Sequence, residues 1–161
     1  MSRKDELIKK LELKPHPEGG YFRETYRCSM GVHREDIDAY RSFSTAIYFL
    51  LGDNDVSKFH RIKSDEMWHH YEGGNLTIHI IHEDGKYEAL YLGKNLDEVT
   101  EIQQVVPANC WFAATVDPGS EYVLVGCTVS PGFDFDDFEM ADRYMMKQAF
   151  PEHSEIIERL T

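Results

Sequence analysis

What this sequence has little of limits its function before any motif is considered. Its three cysteines, Cys28, Cys110 and Cys127, are an odd number at wide spacings with no C-x-x-C pair. That excludes a disulfide framework and a thiolate zinc site and leaves reduced thiols. Positive charge is scarce: 17 lysines and arginines face 29 acidic residues, for a net charge of −12. No basic cluster concentrates enough potential to hold a phosphate backbone, so nucleic acid is not an expected partner. No apolar run approaches the roughly 18 residues of a membrane span, and no signal-peptide core is present. A membrane is therefore not an expected partner, and the expected location is the cytoplasm. Internal repeats and low-complexity tracts are absent, which excludes solenoids and propellers.

What is present suits one domain over residues 1–161, a length that buries most of its apolar surface without staples. Leu7, Ile8 and Leu11 stand at helical spacing among charged neighbours, predicting a surface helix within residues 1–14. Pro15-His16-Pro17-Glu18-Gly19-Gly20 stops it, because the prolines restrict the residues before them and the glycines free the backbone after them. Tyr21 to Arg27 alternates as a strand, and residues 29–42 form an irregular loop. From Ser42 onward the β-signal is dense. Aromatic and branched residues alternate between turns such as Asp53-Asn54-Asp55, Gly73-Gly74, Asp84-Gly85 and Asp117-Pro118-Gly119, out to Val129. About nine short strands over residues 15–131 predict an all-β antiparallel barrel or sandwich. After Pro131-Gly132 the period turns helical, with Phe138, Ala141, Met145 and Ala149 on one face, Asp136 or Asp137 as N-cap, and a last short helix after Pro151. Residues 132–161 are thus expected as a helical tail.

One stretch carries more chemistry than a strand needs: His60, Ile62, Glu66, Trp68, His69 and His70 lie within a single bend. Its spacing is Asn54, five residues, His60-x-Ile62, three residues, Glu66, six residues, Gly73. That resembles the first motif of the cupin superfamily, in which a glycine stands at the Asn54 place and a second histidine at the Ile62 place. Asn is among the few side chains that tolerate the left-handed backbone a glycine there would adopt. The second cupin motif corresponds to Pro107-x-Asn109 followed by Phe112. The segments His16 to Phe22, Thr45 to Leu51, Ser64 to His69, Cys110 to Ala114 and Pro131 to Phe135 are similar to one uncharacterised cupin subgroup, domain of unknown function 985. The resemblance implies a double-stranded β-helix (jelly-roll cupin barrel), a homodimer, and a pocket like that of deoxysugar epimerases. Metal-binding cupins draw ligands from the four matched positions. Here Ile62 and Phe112 put hydrocarbon at two of them, leaving His60 and Glu66.

These residues favour an organic pocket with no cofactor. Strand alternation puts His60 and Ile62 on one face, and Glu66, Trp68 and His70 on one face of the next segment; if the bend keeps phase, all five point inward and His69 outward. A slip of one residue exchanges His69 for His70. The first reading is an isomerase- or epimerase-like enzyme acting on a small polar or carbohydrate-like molecule. His60 is its base, Glu66 orients His60, Tyr48 returns the proton, and Trp68, His70, Arg23, Phe112 and Ile62 line the site. The alternative is a non-catalytic binder or sensor of the same small-molecule ligand. A third reading joins His60 and Glu66 with His69 or His70 around a divalent metal. The arm from His16 to Phe22 holds charged residues its turn does not need, so it is expected to close over a pocket, its own or a partner's. His79, His82 and His153 are expected at the surface, Cys110 and Cys127 buried, and Asp134, Asp136, Asp137 and Glu139 solvated.

Overall fold

The computed structural model describes residues 1–97 and 99–161. Its strands are β1 (Lys14–Pro15), β2 (Tyr21–Arg27), β3 (Gly31–Arg34), β4 (Ala39–Ser42), β5 (Thr45–Gly52), β6 (Val56–Arg61) and β7 (Asp65–Gly73). They continue as β8 (Leu76–Ile81), β9 (Tyr87–Leu92), β10 (Thr100–Glu101), β11 (Gln103–Val106), β12 (Trp111–Val116), β13 (Tyr122–Ser130) and β14 (Glu139–Met140). Helices are α1 (Arg3–Lys10), α2 (Arg143–Ala149) and α3 (Ser154–Arg159). Two six-stranded sheets run in the orders β1-β2-β5-β13-β7-β11 and β10-β9-β8-β12-β6-β14, and β3-β4 is a separate hairpin. The architecture is mostly β, with a short helix at the start and two at the end, as the alternation predicts. Among the described residues no helix is long and apolar enough to cross a membrane.

Alternation decides where the core lies. Phe49, Leu51, Trp68, Val125 and Cys127 from the first sheet meet Leu76, Ile78, Ile80, Phe112 and Ala114 from the second in one buried cluster. The opposite faces of the same strands are covered locally. Leu7 and Leu13 pack on Leu50 and Leu124, while Met146, Ile157 and Leu160 pack on Phe59, Ile81 and Ala113. Each terminal helix thus buries an apolar stripe too short to be stable alone, and its helicity comes from docking.

Four local expectations are corrected. Residues 29–42 are not irregular: Gly31–Arg34 pairs with Ala39–Ser42 as a hairpin. Its Arg41 guanidinium makes two 2.8 Å bonds to the Asp137 carboxylate, both side chains more than nine-tenths buried. Asp137 is therefore no solvated carboxylate. Nor does the helix begin at Asp136 or Asp137. The chain after Pro131 makes only one 3-10 turn, Phe135–Asp137, adds β14 to the edge of β6, and enters α2 only at Asp142, whose side chain accepts from Met145 N at 2.9 Å. The apolar spacing from Phe138 to Ala149 imitates a longer helix because Phe133, Phe135 and Phe138 serve a different surface, described below. Finally, Asn54 is not left-handed; Asn109 is, at φ 66°, at the position where the second cupin motif has glycine.

Candidate functional site

Register brings the two motif regions together. β12 lies between β6 and β8 with Phe112 opposite both His60 and Ile80, and β13 lies between β5 and β7 with Val129 opposite Glu66 and Cys127 opposite Trp68. At one end of the inter-sheet space this leaves a cavity of about 240 Å³. Its floor holds His60, Ile62, Glu66 and Cys127, and its wall is built by His16, Phe22, Phe133, Phe135 and Phe138.

The arm after α1 supplies the group that defines the floor. Gly19 and Gly20 have φ of 114° and 70°, and a Cβ on Gly19 would lie 2.0 Å from Val56 O. Only glycine lets the arm press this closely on β6. There Lys58 N donates to Glu18 O at 2.8 Å, so the arm runs beside the strand that carries His60. Glu18 turns inward at 6% exposure, and its Oε2 stands 2.8 Å from His60 Nε2. His60 Nδ1–H donates to Lys58 O at 2.6 Å. Both ring nitrogens then face acceptors, which favours the doubly protonated imidazolium. Burial opposes charge on His60, but the Glu18 carboxylate outweighs it and raises the imidazole pKa. Burial likewise opposes charge on Glu18, and the nearby imidazolium outweighs it and lowers the carboxyl pKa. His16 completes the arm: its Nδ1 accepts from Glu18 N at 3.1 Å, and its ring packs edge-on against Phe22 at 4.5 Å. Burial lowers its pKa, so it is neutral beside its charged neighbours.

Glu66 is in the opposite condition. It is 8% exposed, lines the cavity beside the Cys127 thiol, and has no ion-pair partner among the described residues. Burial and the neighbouring Glu18 carboxylate push its pKa up to about 7, against the pull of His60. Proton uptake and release by Glu66 therefore fall near neutrality.

The expected site residues separate into three groups. His60, Ile62 and Glu66 line the cavity together. Phe112 and Trp68 lie in the packed layer beneath it, both 1% exposed. Phe112 touches the His60 ring at a centroid distance of 4.1 Å, and Trp68 meets Phe112 and Phe49 edge-on. The remaining candidates are elsewhere. Tyr48 and Arg23, expected as general acid and ligand anchor, sit opposite one another on the outer side of their sheet. There the Arg23 guanidinium covers the Tyr48 ring and reaches Glu12. Strand parity explains it: Phe22 and Glu24 on β2, and Thr45 and Ile47 on β5, take the cavity positions, leaving Arg23 and Tyr48 outside. His70 stands in register with the core residue Val125, and its Nε2 bonds Gly74 O away from the cavity. His69 is on the other face, held by Thr128 and Gln103.

Two further placements differ from expectation. His79 is buried, not superficial, with Nδ1 on Tyr87 Oη at 2.7 Å and Nε2 on Thr115 Oγ1 at 2.9 Å, and burial lowers its pKa to about 4. His153 is half-buried against Gly85 O. Glu18 is the group the motif reading left without a role. Its signal was a charged residue between proline and glycine in a turn that needs none.

The donor set argues against a metal at the cupin position. Two of its four places are Ile62 and Phe112, and both His60 nitrogens are committed to Glu18 and Lys58. Among the described residues no group of three or more histidine, cysteine, aspartate or glutamate side chains is arranged to hold an ion. His69 and His70 are held apart from His60 and Glu66, by Thr128 and Gln103 and by Gly74 O, so neither joins that pair in a common ligand set.

Comparisons with known proteins agree with this architecture. Residues 5–141 match the profile of the family described as Cupin superfamily (DUF985). An uncharacterized protein of Saccharomyces cerevisiae is 30% identical over 145 residues, covering 82% of this chain and 72% of the yeast protein. A hypothetical protein from Leishmania major superposes with a TM-score of 0.92 at 33% identity, covering 98% of this chain and 97% of its own. A Shewanella oneidensis protein does so with 0.90 at 37% identity, covering 100% and 98%. Oxalate decarboxylase from Bacillus subtilis shares the fold at a TM-score of 0.58 and 15% identity, with 91% of this chain matched to 36% of that one.

The Glu18–His60 pairing makes a direct prediction. In an NMR titration of the His60 ring, the native protein keeps the imidazolium above pH 6.5, the ordinary histidine value. Glu18→Gln should lower the His60 pKa below that value, and an unchanged titration would show that Glu18 does not hold the charge.

Proposed function

The chain belongs to the cupin superfamily, in the DUF985 family, and from that premise we propose that it binds a small polar molecule in the Glu66 cavity and isomerises it by proton transfer. The observation that carries this reading is the Glu66 carboxyl: buried, turned into open space and free of any ion-pair partner among the described residues. A general acid–base group works best when it titrates near the working pH, and apolar burial is the usual means of bringing a carboxyl there.

The roles differ from the simplest reading of the motif. His60 has no free lone pair while it bonds Glu18 and Lys58, so it is a poor base. Glu66 takes the proton from a hydroxyl-bearing carbon beside a carbonyl and the bond's electron pair forms the enediolate; the hydroxyl's proton passes to the former carbonyl oxygen, and the same carboxyl returns its proton to the former carbonyl carbon. The step is redox-neutral and needs no co-reactant. His60, charged and fixed by Glu18, supplies positive potential on the cavity floor where negative charge develops on the substrate. Glu18 is a positioning residue.

A second reading is a ligand binder or sensor without turnover, supported by the same pairing, since His60 then offers only a fixed charge. Pairing with a second copy is also part of the proposal. Tyr26, Met30, Tyr40 and Phe43 near the β3–β4 hairpin are exposed large apolar side chains that a homodimer would cover. Sedimentation at micromolar concentration should give a dimer, and a monomer at all concentrations would refute the pairing.

Glu66→Gln tests the central role. Because the folded value of about 7 exceeds the ordinary 4.5, the native state keeps a proton that the unfolded chain has released within that window. Stability therefore falls as pH rises from 4.5 to 7 and is level above it. The neutral glutamine should remove that slope and gain on the order of 3 kcal/mol over the native protein at alkaline pH in denaturant unfolding. On a substrate that exchanges its carbon-bound proton, the same variant should lose about a hundredfold or more in turnover. Retained turnover would exclude Glu66 as the acid–base group, and absence of exchange in the native protein with binding intact would select the binder.

A further inference from the structure

Resting on the reading of this cavity as a ligand site, the geometry points to a ligand that carries an organic ammonium group. We propose that the ammonium sits among the rings of Phe133, Phe135 and Phe138, beside the Asp134 carboxylate and above Glu66.

Charge accounting within the cavity supports it. Glu18, Glu24, Glu66 and Asp134 all line the space, and the basic groups there are Arg27, His60 and His16. Each basic group is already committed. Arg27 Nη2 lies 2.6 Å from Glu24 Oε1 and also donates to Phe133 O at 3.0 Å. His60 is held by Glu18 at 2.8 Å, and burial keeps His16 neutral. That leaves Glu66 and Asp134 without a cation in direct contact, since Arg41, held by Asp137, acts on Asp134 only at longer range. Asp134 Oδ1 accepts only from Asp136 N, at 2.9 Å, and has no ion-pair partner among the described residues. Glu66 is more than nine-tenths buried, faces the cavity, and has the Cys127 thiol, Glu18 and His60 as its titratable neighbours.

The wall has the complementary character. Phe133 meets Phe135 edge-on at 4.9 Å, Phe135 meets Phe138 at 5.8 Å, and the neutral His16 ring extends the surface to Phe22. Aromatic faces carry the negative part of the ring quadrupole and attract a cation, with more effect where water is excluded. An anionic ligand would meet the Asp134 carboxylate and, once Glu66 ionises near pH 7, a second one. A neutral polyol would be accepted by the rings but would leave the carboxyls as they are. An ammonium ion satisfies both features, and the chain's net charge of −12 favours its approach.

Calorimetric titration of the intact native protein at low salt tests this. The probes are choline, its neutral isostere with carbon in place of the quaternary nitrogen, glucose as a polyol, and malonate as a dianion. Choline should bind at least about tenfold more tightly than the isostere, the remaining two more weakly still. Phe135→Ala and Asp134→Asn should each weaken choline by about fivefold. Phe135 is 50% exposed, and asparagine can still cap Asp136 N, so both variants should fold as the native protein does. Equal affinity for choline and the isostere overturns the inference, as does failure of choline to bind. If glucose or malonate binds instead and Glu66→Gln weakens it, the ammonium inference fails while the cavity reading survives. Binding of choline that neither Phe135→Ala nor Asp134→Asn changes overturns it as well.

Discussion

The contact on which the site depends is the buried ion pair between Glu18 and His60. Neither charge could remain in this interior alone, since each would carry a desolvation cost of several kcal/mol without its partner. Held at 2.8 Å with the second imidazole nitrogen on a backbone carbonyl, they stabilise one another and fix the floor of the cavity. The pair also explains the arm. Two prolines and two glycines bend the chain so that a carboxylate from before the first long strand reaches a histidine on β6. The close approach of Gly19 to Val56 is what that bend requires.

Glu66 acquires its character first from burial and then from the neighbouring Glu18 carboxylate, against the pull of His60. A second carboxyl placed near an already ionised one in an apolar cavity keeps its proton until about pH 7. In a metal-binding relative of the same fold, the positions of Ile62 and Phe112 would supply ligands; here they add hydrocarbon to the floor and the packed layer beneath it. The chemistry left is that of a proton-exchanging carboxyl, a fixed imidazolium and an aromatic wall. The wall is organised by its own buried pair, because Arg41 and Asp137 tie the hairpin to the segment that carries Phe133, Phe135 and Phe138.

Much of this was legible in the chain. The alternation of Leu76 to Ile81 and of Tyr122 to Val129 announces strands buried on one face. The spacing from Asn54 to Gly73 marks the barrel motif with His60, Ile62 and Glu66 turned one way. The two-fold period also held the information that Tyr48 and Arg23 face outward, because Ile47 and Glu24 beside them face in. Glu18 was harder to assign: its partner lies far along the chain, and no local pattern specifies a contact made by a bend on a distant strand. The tail misled for a related reason. Phe138 and Ala141 match a helical stripe, but Asp137 belongs to Arg41 and the true cap is Asp142.

The most direct test of the account is the protonation of Glu66 itself, followed through its side-chain carboxyl carbon by NMR in selectively labelled native protein. The account predicts a midpoint near pH 7. A midpoint at the ordinary glutamate value of 4.5 would contradict it, because Glu66 would then be a plain carboxylate at neutral pH and the cavity would have no group suited to exchange a proton.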